Sequence, residues 1–207
     1  IAKKNIMNYF LRSAAYIFHP LLMPLIGARL YFGLTPRFIE PQVINAKTYA
    51  IIIITILIPL IFFFLLKNLG LVKSINLKEV QERKFPLMIQ TLLVLVIIKM
   101  VFSSYQSPEM YYFFVGVLFT TISALVLVLF NFKVSLHQMG VAGVTMFLIA
   151  LSIHFNKNYL LEIGIFFLIN GWVASSRLDT KSHTIPELLT GFFIGLIPQI
   201  VMLNYWL

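Results

Sequence analysis

Ser176-Arg177-Leu178-Asp179-Thr180-Lys181-Ser182-His183-Thr184-Ile185-Pro186-Glu187 stands between two apolar runs, 158 to 176 and 185 to 206. Each run is close to the ~20 residues that a helix needs to cross a bilayer. The polar stretch therefore reads as the turn of a transmembrane helical hairpin. It holds an arginine, a histidine six positions later and a carboxylate four beyond that. An arginine presents a planar, permanently charged fork that suits phosphate oxygens. A histidine can attack phosphorus or carry a proton near neutral pH, and a carboxylate one helical turn away can hold it in the required tautomer. These residue types together point to phosphoryl transfer.

The rest of the chain has the composition of a membrane protein. Of 207 residues, 60% are hydrophobic and 11% charged, so the long apolar runs need a solvent other than water. No polar stretch is long enough for a water-soluble domain, and a single all-α integral membrane domain over residues 1–207 is expected. The net charge of +9 would point to nucleic acid in a soluble protein. Here the basic residues lie between apolar runs, so membrane lipids and a phosphorylated lipid substrate are the expected partners and nucleic acid is not. The chain has no cysteine, which excludes disulfides and thiolate metal sites.

Seven apolar runs can be read, at roughly 9–33, 48–72, 85–104, 110–132, 136–155, 158–176 and 185–206. They predict a bundle of six or seven transmembrane helices. The first run is the uncertain one, because His19-Pro20 and Pro24 interrupt it and proline removes a donor that lipid cannot replace. A kinked, a re-entrant and an interfacial helix all fit it. Asn68-Leu69-Gly70 ends the second run, and Gln106-Ser107-Pro108-Glu109 forms a tight turn between the third and fourth.

Counting crossings brings three polar clusters to one face. With X the face at which the second run ends, Lys78 to Pro86 lies at X, Lys133-Val134-Ser135-Leu136-His137 returns to X after two crossings, and Arg177 to Glu187 after two more. Each cluster also has a plainer reading. Arg177 would suit any basic loop beside a helix, His137 and His183 could be solvated interfacial residues, and Ser135 could be an N-cap for a helix that Gly140 and Gly143 help to pack. Lys78, Glu79, Glu82, Arg83 and Lys84 could form a solvated turn or a clamp for phosphate oxygens. A Ser hydroxyl at a helix N-terminus is also a natural anion site, so capping and binding do not exclude one another there. His154 and Glu162 read as structural, and His19 stays ambiguous. The basic residues fall mainly at X, but with those of the candidate clusters set aside the two faces balance, and orientation stays open.

The pattern Ser176-Arg177, five residues, His183, three residues, Glu187 resembles the third signature of the type 2 phosphatidic acid phosphatase superfamily, with Glu in place of Asp. The second signature, Pro-Ser-Gly-His, is matched at Ser135 and His137, with Val134 and Leu136 in place of Pro and Gly. For the first, Lys78, Arg83 and Pro86 keep the order but not the spacing. The resemblance covers at most the C-terminal two-thirds, so about 1–75 would be additional N-terminal helices and about 76–207 the family-like core. It implies that His183 is the nucleophile that forms a phosphohistidine, oriented by Glu187, and that His137 is the general acid. Arg177 and Ser135 would hold phosphate oxygens, with Lys78, Arg83 or Lys84 completing the cradle. It also implies a lipid phosphate or diphosphate substrate, no metal and no cofactor, and a site facing away from the cytoplasm; the expected location is a bacterial plasma membrane. A non-catalytic relative that binds or transports an anionic lipid is the alternative, because Val134, Leu136 and Glu187 depart from the pattern.

Overall fold

The computed structural model describes residues 2–73 and 79–207, with side chains from Tyr9 onward. Among the described residues the chain is all-helical. The helices are α1 (Ala2–Ile17), α2 (Met23–Leu34), α3 (Pro41–Asn68), α4 (Lys84–Met100), α5 (Pro108–Leu129), α6 (Leu136–His154), α7 (Leu160–Asp179) and α8 (Ile185–Leu203). A single 3-10 turn at Gln81–Arg83 leads into α4, and α3 contains a π-helical stretch at Ile53–Leu57. Five helices, α3, α5, α6, α7 and α8, are long and apolar enough to cross a membrane. The third apolar run becomes a 17-residue helix, α4, bounded by Arg83 and Val101.

The first apolar run does not form one span. It breaks between Ile17 and Met23, where Leu22 N–H donates to His19 O and Met23 N–H to Pro20 O in a tight turn. Pro20 disfavours helical backbone at the residue before it, whereas Pro24 falls in the first turn of α2, where a missing N–H costs nothing. The second run begins earlier than its hydropathy suggests. Pro41 starts α3 for the same reason, carrying Gln42, Asn45 and Lys47 into the helix.

Helix ends are closed by left-handed residues. Gly70 (φ 73°), Asn131 (φ 58°), Asn156 (φ 49°) and Lys181 (φ 50°) each follow a helix. At Gly70 the paired bonds from Gly70 N–H to Lys67 O and from Leu71 N–H to Leu66 O satisfy the last carbonyls. The same pair recurs at Lys181, with Lys181 N–H to Leu178 O and Ser182 N–H to Arg177 O.

Helix α6 is the centre of the bundle. Its residues Val141 to Leu148 are buried without interruption, the pattern of a helix enclosed on all sides. Helix α8 runs parallel to its N-terminal half at close range. A Cβ on Gly191 would stand 2.8 Å from Ser135 O, and one on Gly195 would overlap the Met139 carbonyl. Small residues at i and i+4 thus let the two backbones touch, the means by which helices associate where lipid gives no hydrophobic drive. Interhelical hydrogen bonds add to it: Thr120 Oγ1 to Ile194 O and Gln199 Nε2 to Phe113 O join α5 to α8. Gln138 Nε2 to Asn170 Oδ1 joins α6 to α7.

At the end of α6 remote from Ser135, Glu109 is fully buried and pairs with Arg37 at 2.8 Å and His154 at 3.1 Å, with Tyr31 OH donating at 3.3 Å. This cluster ties α2, α5 and α6 together and gives His154 the structural part expected of it.

Two glycines separate the packing role from mere presence in a helix. Gly195→Ala is expected to cost about 3 kcal/mol, the upper end for an overpacked core, read as thermal unfolding in detergent. Gly171→Ala, where nothing lies within 4 Å of the new methyl, should be neutral or stabilising by up to about 1 kcal/mol.

Candidate functional site

Because α6 and α8 lie parallel, their N-termini stand side by side. Ser135 N–H donates to Glu187 O at 3.3 Å and fixes that register. The left-handed turn at Lys181 folds the α7–α8 link back, and His183 N–H reaches Arg177 O at 3.4 Å. The two polar clusters are therefore held by backbone bonds at one end of the bundle, where two helix N-termini add positive potential.

His183 Nδ1 lies 2.7 Å from Glu187 Oε2, and the two side chains are 5% and 19% exposed. The same oxygen accepts Thr184 N–H at 3.2 Å. Glu187 is thus the third residue of α8, reaching back to the N-cap position as such a glutamate does, and its length carries it one residue further to the imidazole. With Nδ1–H donated to the carboxylate, Nε2 is left with its lone pair. Burial holds the imidazole well below its usual pKa, opposed by the Glu187 carboxylate and helped by Arg83 and Lys133. It is neutral at neutral pH, the state a nucleophile requires.

Arg83 and Lys133 act on this pair, and Arg177 lines the same cavity. Arg83 is buried and donates from Nη1 to Val134 O at 2.8 Å. Lys133 Nζ donates to Ser182 O at 2.9 Å. Arg177 Nη2 is 3.5 Å from Thr180 Oγ1, while its buried Nε has no hydrogen-bond partner among the described residues. A buried guanidinium N–H without an acceptor is costly, and an oxyanion in the adjoining space would satisfy it.

His137, the second residue of α6, is bound by the first apolar run. Its Nε2 lies 3.1 Å from Ala15 O. A carbonyl only accepts, so Nε2 carries the proton and Nδ1 is the atom left for proton exchange. That arrangement also suits the imidazolium, in which both nitrogens donate. The His19 ring meets the His137 ring edge to face at 5.5 Å between centroids. Helix α1 is seated on α7 by Phe10, which stacks on Trp172 at 4.6 Å and accepts its indole N–H at 3.2 Å.

One cavity of about 1110 Å³ is lined by Arg83, Lys133, His137, Arg177 and His183 together with Arg12, Tyr16 and His19. Its walls continue along apolar residues of α3 to α6, including Leu60, Phe63, Leu87, Val117 and Val144, to Gln199. Along α8 alone, Ile185 to Gln199 is a rise of about 21 Å, so the cavity reaches deep into the apolar part of the bundle.

The structure brings Arg177, His183, His137 and Arg83 of the sequence candidates to this cavity, with Glu187 touching His183. It does not bring Ser135 or Lys84 to the lining. Ser135 is fully buried, its Oγ accepts Gln138 N–H at 3.4 Å as an N-cap, and Gly191 packs over its backbone. Lys84 follows Arg83 on the first turn of α4, about 100° further round the helix. Lys78 lies outside the described residues. Sequence reading missed Arg12 and the Ala15 carbonyl, left His19 ambiguous, and placed Lys133 at the same face without giving it a role. The available signal was His19-Pro20, a histidine fixed at a break in an apolar run.

Compared with known proteins, the chain matches no family model, no curated sequence and no solved structure.

The state of His183 can be read directly by titrating its imidazole resonances, assigned through His183→Asn. It should titrate below 6.5. Glu187→Gln removes the group that raises its pKa and should move the titration lower, whereas Lys133→Gln removes a cation that lowers it and should move it higher. A rise on losing Glu187 would contradict the pairing.

Proposed function

We propose that this chain is a membrane-embedded, metal-independent phosphatase or phosphotransferase acting on a lipid phosphate or diphosphate through a phosphohistidine. In this reading it is a divergent member of the type 2 phosphatidic acid phosphatase superfamily. The observation that carries the reading is the 2.7 Å bond between His183 Nδ1 and Glu187 Oε2, which leaves Nε2 as a neutral nucleophile among cations in a cavity with apolar walls. The substitution of Glu for Asp is no obstacle to it, since the carboxylate reaches the ring.

The steps follow from the groups present. His183 Nε2 attacks phosphorus, the bond from phosphorus to the leaving oxygen breaks, and the electron pair stays on that oxygen. The oxygen takes a proton from His137, whose Nδ1 becomes neutral again while Ala15 O keeps hold of Nε2–H. Glu187 stabilises the charge that develops on His183. Arg83, Lys133 and Arg177 balance the phosphoryl oxygens, with the free Nε of Arg177 as an added donor. Water then attacks the phosphohistidine and gives a proton to His137 Nδ1. The P–N bond breaks, its electron pair returns to His183 Nε2, and phosphate leaves. An alcohol in place of water would make the same site a phosphotransferase. The apolar walls supply the place for a lipid chain, burial of which contributes ~0.8 kcal/mol per methylene.

The test is phosphate release from a panel of lipid phosphates and diphosphates by the detergent-purified chain in EDTA. Turnover is expected in the wild type and in Lys84→Ala. It should fall to background in His183→Ala, and by ~10²–10⁴-fold in His137→Ala, the range for loss of a general acid. An acid-labile labelled phosphoenzyme should form in the wild type and be absent in His183→Ala. Turnover that survives His183→Ala would end this reading, and lipid binding without any phosphate release would identify a non-catalytic lipid carrier instead.

A further inference from the structure

The segment before α2 has no counterpart in the signatures described above, yet it forms one wall of the cavity. Arg12, Tyr16 and His19 recur at three- or four-residue spacing and all line it. His19 sits in the turn between α1 and α2. Its Nδ1 accepts Leu21 N–H at 3.3 Å, so the proton of the neutral ring sits on Nε2. Partial burial, then the charge of Arg177, keep its pKa below the usual value, and the ring stays neutral. His19 therefore presents an N–H donor, unsuited to giving a proton away because Nδ1 is already engaged.

Its neighbour decides what that donor is for. His19 adjoins His137, the group that protonates the leaving oxygen, with the two rings edge to face. Arg83 and Lys133 already serve the phosphoryl group being transferred to His183. Donors beside the acid face whatever departs. A lipid monophosphate loses an alcohol, which is neutral once protonated and gains little from cations. A lipid diphosphate loses a lipid monophosphate, which carries charge on several oxygens and needs donors there. Asp179 is the one carboxylate among the described lining residues, so the cavity keeps a strong positive excess after one phosphoryl group has been balanced.

Building on the phosphoryl-transfer reading, we infer that His19 and Arg12 form a second phosphate subsite beside His137, and that the substrate is a lipid diphosphate. His183 Nε2 attacks the terminal phosphorus, the bond to the bridging oxygen breaks with its electron pair left on that oxygen, and His137 protonates it. His19 Nε2–H and the Arg12 guanidinium hold the lipid monophosphate as it forms. Hydrolysis of the phosphohistidine then proceeds with water as above.

Farnesyl diphosphate and farnesyl monophosphate share one chain and differ only in the second phosphate, so they isolate this subsite. The wild type should turn over the diphosphate with the higher kcat/KM. His19→Asn keeps an oxygen for Leu21 N–H but loses the Nε2 donor. That variant and Arg12→Gln should each lower the diphosphate-to-monophosphate ratio of kcat/KM by about 10- to 100-fold, the range for losing a hydrogen bond to a charged group. Equal loss on both substrates, or a wild type that prefers the monophosphate, would overturn the inference and leave the phosphatase reading standing. A wild type inert towards both, and towards the wider lipid panel, would overturn that reading and the inference with it. Arg12 lies on the exposed part of α1, so Arg12→Gln keeps the test valid if His19→Asn folds poorly.

Discussion

The close parallel packing of α6 and α8 is the contact on which the site depends. Gly191 and Gly195 let the α8 backbone rest on Ser135 and Met139, and no side chain larger than hydrogen could stand there without moving one helix. Since the helices touch near their N-termini, the residues that begin them are held together. Ser135 N–H to Glu187 O is the backbone bond that records it. Separating the two helices by the width of one methyl group would leave His183 and Glu187 paired, since both belong to the start of α8, but would displace them from His137.

This division explains why the pair and the cavity were not equally legible. His183 and Glu187 are four residues apart, and local helix geometry alone is enough to bring them into contact. Their bond could be anticipated from spacing. That the carboxylate also receives Thr184 N–H follows from its place in the first turn of α8, and a glutamate is the residue that reaches both. The convergence of Arg83, Lys133 and His137 on the same cavity needed the crossings to be counted, which long apolar runs permit. Ser135 shows the limit of that reasoning. Its hydroxyl suits an anion or an N-cap, and packing decided for the cap by burying it beneath Gly191.

The N-terminal third shows how prolines override hydropathy. As a run of apolar residues, 9–33 has the length of a span, but Pro20 prevents helical backbone at His19 and turns the chain there. The outcome is two short helices with an elbow between them, and the elbow carries Ala15 O and His19 to the His137 ring. A carbonyl bonded to His137 is invisible in sequence because every residue has one. What makes this carbonyl available is its place near the end of α1, where the helix has no further N–H to occupy it.

By itself, the sequence determined the all-helical, apolar class, the turns near 68–70 and 106–108 and the local pair His183–Glu187. Each depends on residues near one another along the chain, through hydropathy, turn chemistry or helical spacing. Tertiary structure alone decided that Arg12 joins the cavity and Lys84 does not, which nitrogen of His137 is free, that Ser135 is a cap and that the α1–α2 elbow belongs to the site. These depend on contacts between helices far apart in sequence, set by how closely two backbones can approach, and that distance is fixed by the glycines at the crossing rather than by the polar residues it assembles.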